Sequence, residues 1–264
     1  MSSMVNSPPN EDTWRYLDLS LPSAAENLAL EEALARCTPS KDFLPTLRLW
    51  TNPPTVVVGR FQNVNSEIDM DLCIRENIAI ARRFTGGGAV YHDSGNLNLT
   101  IVMRPPWKIQ VTDFQRNALS IVMNFLDDLQ LQHTFVSPNS IHVDGRKIAG
   151  GAAALGRDFL LWHASILIST DIELVSQLLA PSRENSEGNF IRSRWHPVTT
   201  LVAALGKPVS MGELKHQLQA AARKSFDVKF SPGELRDDEK ERVHSLHRNK
   251  YSTAQWNLSG IQGG

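Results

Sequence analysis

The sequence predicts an α+β fold in which mixed β-sheets are flanked by helices. Three observations support this prediction. Short apolar runs with strand character alternate with segments whose apolar residues recur at helical spacing. Capping sequences and turn residues separate the two kinds of segment. No linker, internal repeat or low-complexity block interrupts the chain between Trp14 and Trp256. We therefore predict one domain over residues 13–258, between a disordered tail at 1–12 and a C-terminal tail at 259–264.

The first half of the chain is predicted to supply most of the strands. Ser23 and Glu26 form a capping box at the start of a helix that ends near Arg36. A short helix is predicted over residues 69–76. An Asn-Pro-Pro turn at residues 52–54 separates two strand-like runs. The predicted strands are residues 14–19, 47–50, 55–59, 78–83 and 97–103.

The second half is predicted to be richer in helix. Asp113 is expected to cap a helix with apolar residues at helical spacing. Thr170 and Glu173 have the spacing of a second capping box. Helices are predicted over residues 113–129, 170–179, from 210 onward and over 231–248, the last with a solvated face of mixed charge. Strands are predicted at 140–143, 147–148 and 160–168, and a polar loop at 181–196.

Composition and charge exclude several classes of protein. The chain has 264 residues and a formal net charge of -1, so no overall field favours nucleic acid or an anionic membrane. No apolar run has the length of a membrane span, and the polar first residues do not resemble a secretory signal. Cys37 and Cys73 are too few for a disulfide framework and fit a reducing compartment, as buried small residues. We expect a cytoplasmic protein that binds neither nucleic acid nor membrane.

The segment from Arg82 to Asp93 is the most informative part of the sequence, because it contains three consecutive glycines at residues 86–88. Glycine lets the backbone approach a ligand closely and present its amide donors. Arginine offers a fork of donors for phosphate or carboxylate. Arg82 and Arg83 precede the glycines and Tyr-His-Asp follows them, which predicts a loop around a small anionic molecule. A plain sharp turn is the alternative.

A second segment, residues 144–154, combines Lys147 with glycines and alanines. Asp144-Gly145 predicts a tight hairpin turn that places Lys147 at the start of the next strand. A lysine there is suited to contact a phosphate or an acyl oxygen; the alternative is an exposed turn lysine. His163 lies on the following predicted strand, where a single histidine is usually structural. The glycines fit neither a P-loop nor a dinucleotide fingerprint, and the histidines lack the spacing of metal ligands.

These segments resemble the lipoate–protein ligase family over most of the chain. The matching segments are residues 27–33, 57–63, 81–98, 145–150 and 250–257. The most specific is Arg-Arg-x-x-Gly-Gly-Gly-Ala-Val-Tyr-His-Asp with a downstream Gly-Arg-Lys. The resemblance implies a biotin/lipoate ligase-like catalytic domain. Such an enzyme activates lipoate with ATP to lipoyl-adenylate and transfers the lipoyl group to a carrier lysine. The implied carrier is a 2-oxoacid dehydrogenase E2 domain or a glycine cleavage H-type protein, and the implied cofactors are ATP and Mg²⁺.

The resemblance also implies roles for particular residues. Lys147 is the implied catalytic residue, in contact with the acyl oxygen and the phosphate. Arg83 is implied to orient the glycine loop or to bind the anion. The residues implied to bind lipoate and ATP are Arg83, Gly86, Gly87, Gly88, Ala89, Val90, Tyr91 and His163; metal ligands are not assigned. The acyl tunnel is expected to be lined by Val57, Val90 and Leu161.

Departures from the long-form ligases point to the archaeal-type, two-part members of the family. The chain has Gly-Gly-Ala-Ala-Ala at 150–154 where many long-form ligases have Gly-Ser-Ala. It has Trp-His-Ala-Ser at 162–165 where they often have His-His-Gly-Thr. It also stops soon after Asn257, where long-form enzymes continue into an accessory domain. The resemblance therefore implies a separate small subunit that is needed for the activation step.

Three other functions stay open at this point. An ATP-independent transferase of octanoyl or lipoyl groups between carriers uses a cysteine nucleophile beside the acyl group. Neither Cys37 nor Cys73 falls after Lys147, where that cysteine is expected. A biotin–protein ligase shares the fold, but this chain lacks the Gly-Arg-Gly-Arg segment of that family. The third is a non-enzymatic protein that binds the carrier or lipoyl-adenylate.

Overall fold

Two β-sheets frame the part of the chain described by the computed structural model, residues 13–105, 110–179 and 192–260. The strands are β1 (Thr13–Asp18), β2 (Thr46–Trp50), β3 (Thr55–Val58), β4 (Ala79–Arg82), β5 (Val90–His92), β6 (Asn96–Met103), β7 (Thr134–Val136), β8 (Ser140–Val143), β9 (Arg146–Leu155), β10 (Leu160–Leu167) and β11 (Lys229–Pro232). The large sheet has the order β11-β1-β2-β6-β10-β9-β8-β7, and the small sheet has the order β4-β3-β5. Both sheets mix parallel and antiparallel pairs, as predicted.

Helices cover both sheets. They are α1 (Ala24–Arg36), α2 (Val64–Glu67), α3 (Met70–Arg75), α4 (Val111–Asp128), α5 (Ile172–Leu178), α6 (Leu201–Leu205), α7 (Met211–Phe226) and α8 (Asp237–Leu246), followed by π-helical turns at His247–Tyr251 and Gln255–Ser259. The capping box of α1 forms as predicted, because Ser23 Oγ accepts from the Glu26 amide while the Glu26 carboxylate accepts from the Ser23 amide. Among the described residues, no helix has the length and apolar character needed to cross a membrane.

Alternation along β6 separates the apolar core from a polar face. Leu97, Leu99 and Ile101 pack in the main core with residues of α4 and α7. Asn96, Asn98 and Thr100 are also buried, on the opposite face of the strand. That face meets α1 and the small sheet instead of solvent. Burying three polar side chains in a row is costly unless they find partners, so this face is where a ligand site is expected.

The second and third apolar clusters fix α1 and the small sheet over the large sheet. Residues of α1 pack with Phe84, Leu161 and Trp256 in one cluster. Residues of the small sheet pack with α3 and α5 in the other, around Val56 and Val58. Helix α1 is buried almost all round, because α8 covers the side that faces away from the sheet.

Several boundaries differ from the sequence predictions. Helix α4 begins at Val111, and Asp113 lies in its first turn instead of capping it. The cap of α5 is Asp171, while Thr170 donates to Asp93. Ser231 lies in β11, and α8 begins only at Asp237. Strand β9 continues to residue 155, since its small residues pair along the whole of β10. The proposed tail at 1–12, residues 261–264 and loop residues 181–191 lie outside the described residues.

The runs on either side of the Pro-Pro turn are both strands, as predicted, but they do not pair with each other. β2 pairs antiparallel with β6 in the large sheet. β3 lies between β4 and β5 in the small sheet. The turn therefore carries the chain from one sheet to the other and creates the space between them.

Candidate active site

A cavity of about 840 Å³ lies between the two sheets. Its floor is the polar face of the large sheet, its roof includes Val57 and Val90 of the small sheet, and α1 contributes Leu28 and Glu31. Loop residues 192–198 form part of the rim. A cavity of this size with few convergent polar groups is typical of a small-molecule site.

Most of the residues singled out from the sequence line this cavity. They are Arg83, Gly87, Gly88, Ala89, Val90, Tyr91, Lys147 and His163. Gly86 is not among the lining residues, and the Tyr91 ring packs in the apolar cluster of the small sheet. Of the three proposed tunnel residues, Val57 and Val90 line the cavity, whereas Leu161 packs under α1 and does not. That assignment of Leu161 was wrong because its side chain faces α1, in the cluster that also holds Phe84.

Arg83 fixes the shape of the glycine loop, residues 86–88, through hydrogen bonds to its carbonyl oxygens. Its guanidinium donates to the carbonyl oxygens of Gly86 (2.7 Å), Gly88 (2.7 Å) and Val57 (3.1 Å). Burial lowers the pKa of Arg83 to about 10, which leaves the group charged at neutral pH. These bonds fix the shape of the loop where Gly87 and Gly88 line the cavity.

Close packing accounts for the glycines themselves. Gly87 has φ of +93°, and a Cβ there would lie 2.9 Å from an Arg83 guanidinium nitrogen. Gly59 lies against the same loop, since a Cβ on it would be 2.1 Å from the Gly87 carbonyl oxygen. Gly86 is different, because a Cβ there would meet only the Phe61 ring at 3.9 Å. Within residues 86–88, the steric requirement for glycine therefore falls on Gly87 and on Gly88, where a Cβ would lie 2.8 Å from Ser193 Oγ.

Loop residues 192–198 are fastened to the glycine loop through Ser193. Ser193 Oγ accepts from the Ala89 amide at 2.9 Å and from Gln62 Nε2 at 3.0 Å. The Ser193 amide donates to the Glu67 carboxylate, which also accepts from Gln62. A Cβ on Gly88 would lie 2.8 Å from Ser193 Oγ. From the sequence, this segment was predicted only as part of a polar loop at 181–196.

The Lys147 side chain lies over Gly150, three residues further along the same strand, β9. A Cβ at Gly150 would be 2.6 Å from Lys147 Cε and 2.7 Å from Nζ, so Gly150 leaves the space in which the lysine lies. The predicted Asp144-Gly145 turn forms with both φ angles positive, 48° and 73°. The Lys147 ammonium has no hydrogen bond or ion pair with the described residues. Burial, reinforced by Arg83, lowers its pKa.

His163 is anchored to a buried carboxylate. Its Nδ1 contacts the Glu31 carboxylate at 2.9 Å, and its Nε2 contacts Thr85 Oγ1 at 2.8 Å. Thr100 donates to the same carboxylate at 2.6 Å. Burial raises the pKa of Glu31, but His163, Thr100 and Arg48 together outweigh it and lower the pKa. Glu31 was missed in the sequence because it reads as one of the polar positions of an amphipathic helix.

Arg82, the neighbour of Arg83, faces away from the cavity. Its guanidinium donates to carbonyls of Gly59, Arg60 and Gln62 in one loop. It also donates to the carbonyls of Trp256 and Leu258 near the C-terminal end of the described chain. The two arginines therefore have different roles: Arg82, at the end of β4, joins two backbone segments away from the cavity, and Arg83, which follows the strand, holds the glycine loop.

The described residues offer no preformed metal centre. They contain no group of three or more His, Cys, Asp or Glu side chains placed to hold an ion. Glu31 is the single carboxylate that lines the described cavity, and His163 already occupies it. Around it the lining is cationic, with Arg83, Lys147 and Arg194 among its members. This arrangement is suited to an anionic ligand with an apolar portion.

Sequence comparison places relatives of two kinds beside this chain. The family model described as the lipoyl protein ligase A/B catalytic domain matches residues 23–223. Lipoate-protein ligase A subunit 1 of Thermoplasma acidophilum is 30% identical over 242 residues, covering 88% of this chain and 91% of that protein. The octanoyltransferase LipM of Halalkalibacterium halodurans is 29% identical over 278 residues, covering 94% and 99%.

Solved structures share the fold over almost the whole chain. A bi-partite lipoate protein ligase of an archaeal lipoylation system from T. acidophilum aligns with a TM-score of 0.82 at 27% identity, covering 96% of this chain and 98% of that one. A protein from the same organism with bound lipoic acid gives 0.80 at 28%, covering 94% and 99%. Lipoate-protein ligase A bound with ATP gives 0.83 at 28%, covering 94% and 100%. The predicted fold class is confirmed.

Proposed function

Because this chain belongs to the lipoyl protein ligase A/B catalytic domain family, we propose that it is the catalytic chain of an ATP-dependent lipoate–protein ligase. It activates lipoate to lipoyl-adenylate and transfers the lipoyl group to a lysine of a carrier domain. Family membership covers both ligase and octanoyltransferase relatives. The choice between them rests on the chemistry that the cavity offers.

The positions of the two cysteines carry the proposal. Cys37 lies at the end of α1, where its thiol donates to the Asp238 carbonyl, and Cys73 packs in the apolar cluster around Val56. Neither lines the described cavity, and the chain has no other cysteine. Burial raises the pKa of both thiols, helped by Asp238 at Cys37 and by Asp69 at Cys73. A cysteine nucleophile needs the opposite shift and a place beside the acyl group.

The cavity is suited to adenylate chemistry instead. In the first step the lipoate carboxylate attacks the α-phosphorus of ATP, and the bond to pyrophosphate breaks. In the second step the carrier amine attacks the acyl carbonyl, and AMP leaves. Negative charge gathers on phosphate and acyl oxygens in both steps. Lys147 supplies an unneutralised, partly desolvated cation at this place, where such a charge is most effective.

Arg83 and the glycine loop have supporting roles in this proposal. Arg83 holds the loop carbonyls, so that loop amides can approach the phosphate. His163 is held in place by Glu31 and lines the acyl side of the cavity. We assign Mg²⁺ no protein ligand, because the one carboxylate in the described lining is paired with His163. The relatives solved with lipoic acid and with ATP support these two molecules as ligands.

Carrier and subunit assignments follow from the relatives. The T. acidophilum system pairs a bi-partite ligase with an E2 lipoyl domain, and the curated relative is named subunit 1. These names support a lipoyl carrier and a small accessory subunit as partners of this chain. The glycine cleavage H-type protein is the second candidate carrier.

A lipoate-dependent ATP–pyrophosphate exchange assay tests the proposal, run with and without a candidate accessory subunit. The variant C37S/C73S should retain exchange and transfer within about twofold, because neither thiol takes part. An octanoyl-carrier protein without ATP should give no transfer. Loss of all activity in a folded C37S/C73S variant, or efficient ATP-free transfer, would instead establish the octanoyltransferase function that the LipM relatives favour.

A further inference from the structure

One row of side chains crosses the cavity floor from the catalytic lysine to its far end. Gly150, over which Lys147 lies, pairs with Ser165 in the next strand. Ser165 pairs with Asn98, and Asn98 pairs with Trp50. Directly opposed residues of antiparallel strands share a face. Three strand spacings place Trp50 roughly 14 Å from Gly150, so Asn98 and Trp50 lie where the far end of an acyl chain would be.

A chain of hydrogen bonds reaches Asn98 from a buried arginine. The Arg48 guanidinium donates to Asn27 Oδ1, and Asn27 Nδ2 donates to Asn52 Oδ1 at 2.9 Å. Asn52 Nδ2 meets His92 Nδ1 at 3.0 Å. The next contacts join His92 Nε2 to Ser165 Oγ at 2.9 Å and Ser165 Oγ to Asn98 Oδ1 at 2.7 Å.

The direction of this chain is fixed. Arginine has only donors, so each group that follows accepts on one side and donates on the other. His92 must accept at Nδ1 and donate at Nε2, and the Ser165 hydroxyl must donate onward to Asn98. Asn98 therefore presents its Nδ2 amide, not its carbonyl oxygen, as its remaining group.

That last donor has no partner among the described residues. Asn98 is 2% exposed and lines the cavity, and its Nδ2 makes no hydrogen bond with the described residues. Native proteins rarely leave a buried donor unpaired. Asn96 Oδ1 is also unpaired and lines the cavity, but it is an acceptor in a neighbouring row, opposite Leu167. The third unpaired atom in the described chain, Trp162 Nε1, belongs to a residue of the main apolar core.

We propose that Asn98 is a specificity-determining residue whose amide donates to an acceptor atom near the far end of the acyl chain. This inference rests on the proposed function, since it takes the cavity as the acyl site. A dithiolane ring offers sulfur atoms that accept weakly, whereas the terminal methyl of octanoate would bury the amide without a partner. The chain should therefore prefer lipoate to octanoate by about tenfold, the usual effect of one unpaired buried donor.

Calorimetric binding of free acids to the full chain tests this, with no ATP or carrier present. The ligands are lipoate, octanoate and 6-methoxyhexanoate, the last having the length of octanoate but an ether oxygen near its end. Lipoate and 6-methoxyhexanoate both carry an acceptor atom near the far end. Wild type should bind these two acids at least fivefold more tightly than their size and hydrophobicity alone would predict. Asn98→Leu should bring the lipoate-to-octanoate ratio down by about tenfold, mainly by improving octanoate.

Asn96→Leu is the matched control, because it removes an unpaired amide acceptor from the same strand and face and should leave the ratio unchanged. Ser165→Ala is a milder second variant. It removes the hydrogen bond that orients the Asn98 amide, so the amide can rotate and the lipoate-to-octanoate affinity ratio should fall in part. An unchanged ratio in folded Asn98→Leu and Ser165→Ala, or an equal change in Asn96→Leu, overturns the inference. If the acids bind with the expected ratios but no ATP–pyrophosphate exchange occurs even with the accessory subunit present, the proposed function fails and the acyl preference stands.

Discussion

Lys147 is a cation that the fold desolvates without neutralising. Gly150 gives it room, Arg83 lies near enough to lower its pKa further, and its ammonium has no partner among the described residues. Such a group costs stability and is retained where it meets a ligand's negative charge. His92 of β5 in the small sheet also lines the cavity, and burial together with Arg83 keeps it neutral by lowering its pKa.

Replacing Lys147 by Ala should lower lipoyl transfer from preformed lipoyl-adenylate by about 10²–10³-fold, the usual loss of one preorganised charge. Thermal stability should stay the same or rise, because an unpaired cation is removed. Arg157→Ala, at a fully exposed turn arginine, should have no effect. Near wild-type transfer by Lys147→Ala would remove the lysine from the mechanism.

The pH dependence of exchange follows from the same lysine. Only its protonated form is useful, and its pKa is lowered in the fold. ATP–pyrophosphate exchange should therefore decline as pH rises, before the value of about 10.5 expected for a free lysine. Lys147→Arg should keep whatever activity it has to higher pH. Parallel profiles for the two proteins would show that another group controls the decline.

His92 predicts a pH dependence of stability. Burial, with Arg83 adding to it, lowers the pKa of His92 to about 3. The unfolded chain binds this proton near pH 6.5 and the folded chain does not, so the free energy of unfolding should fall as pH falls from 6.5 towards 3, by up to about 1.4 kcal/mol per unit. Urea unfolding of His92→Gln should show a flatter profile between pH 6.5 and 5. His216→Gln, at an exposed position of α7, should leave the wild-type slope; an equal flattening would contradict the assignment.

At the scale of elements, the glycine loop and loop residues 192–198 act as one unit. Gly88→Ala places a Cβ 2.8 Å from Ser193 Oγ and 3.3 Å from its Cα, whereas Gly86→Ala meets only the Phe61 ring at 3.9 Å. Lipoyl-adenylate affinity should fall more than tenfold in Gly88→Ala and less than twofold in Gly86→Ala. Adding Ser193→Gly to Gly88→Ala should recover part of the loss, as expected for coupled neighbours. Equal effects at the two glycines would mean that the clash is unimportant.

The Arg82 side chain joins a second pair of elements, the loop at 59–62 and the turn Gln255–Ser259. Its guanidinium donates to carbonyls of both, and Trp256 Nε1 donates back to the Arg82 carbonyl. Arg82→Met should therefore lower the free energy of unfolding by about 3 kcal/mol, since several buried carbonyls lose a charged donor at once. Arg60→Met, two loop residues from Gln62 and exposed, should change stability by under about 0.5 kcal/mol. Chemical denaturation of both variants measures the two free energies of unfolding. Equally small losses would show that the Arg82 hydrogen bonds contribute little to stability.

At the scale of the whole molecule, the question is whether the chain activates lipoate unaided. Its relatives include a subunit of a two-part ligase, and activation requires the site to close around ATP and exclude water. We expect the purified chain to transfer from lipoyl-adenylate but to catalyse exchange slowly. Adding the accessory subunit should raise exchange at least tenfold. Full ATP-dependent lipoylation by the chain alone would identify a self-sufficient ligase.

Much of this molecule follows from local sequence. The capping box at Ser23, the Asp144-Gly145 turn and the strand before the glycines form where the pattern predicts them, because these signals act over a few residues. The short strand after the glycines, β5, was not predicted. Gly87, Gly88 and Lys147, which the sequence singled out separately, line the same cavity. The family could also be inferred from the sequence, because the matching segments combine several such local requirements.

Tertiary structure alone decided how these pieces act together. Glu31 and His163 are 132 positions apart, Gln62 and Ser193 are 131 apart, and nothing local marks either pair. The different tasks of Arg82 and Arg83 arise from the different partners that the fold places around the last residue of β4 and the residue after it. The row from Gly150 through Ser165 and Asn98 to Trp50 exists because four strands bring one residue each into register. Sequence determines such contacts only through the global fold, in which burial and pairing are settled for all strands at once.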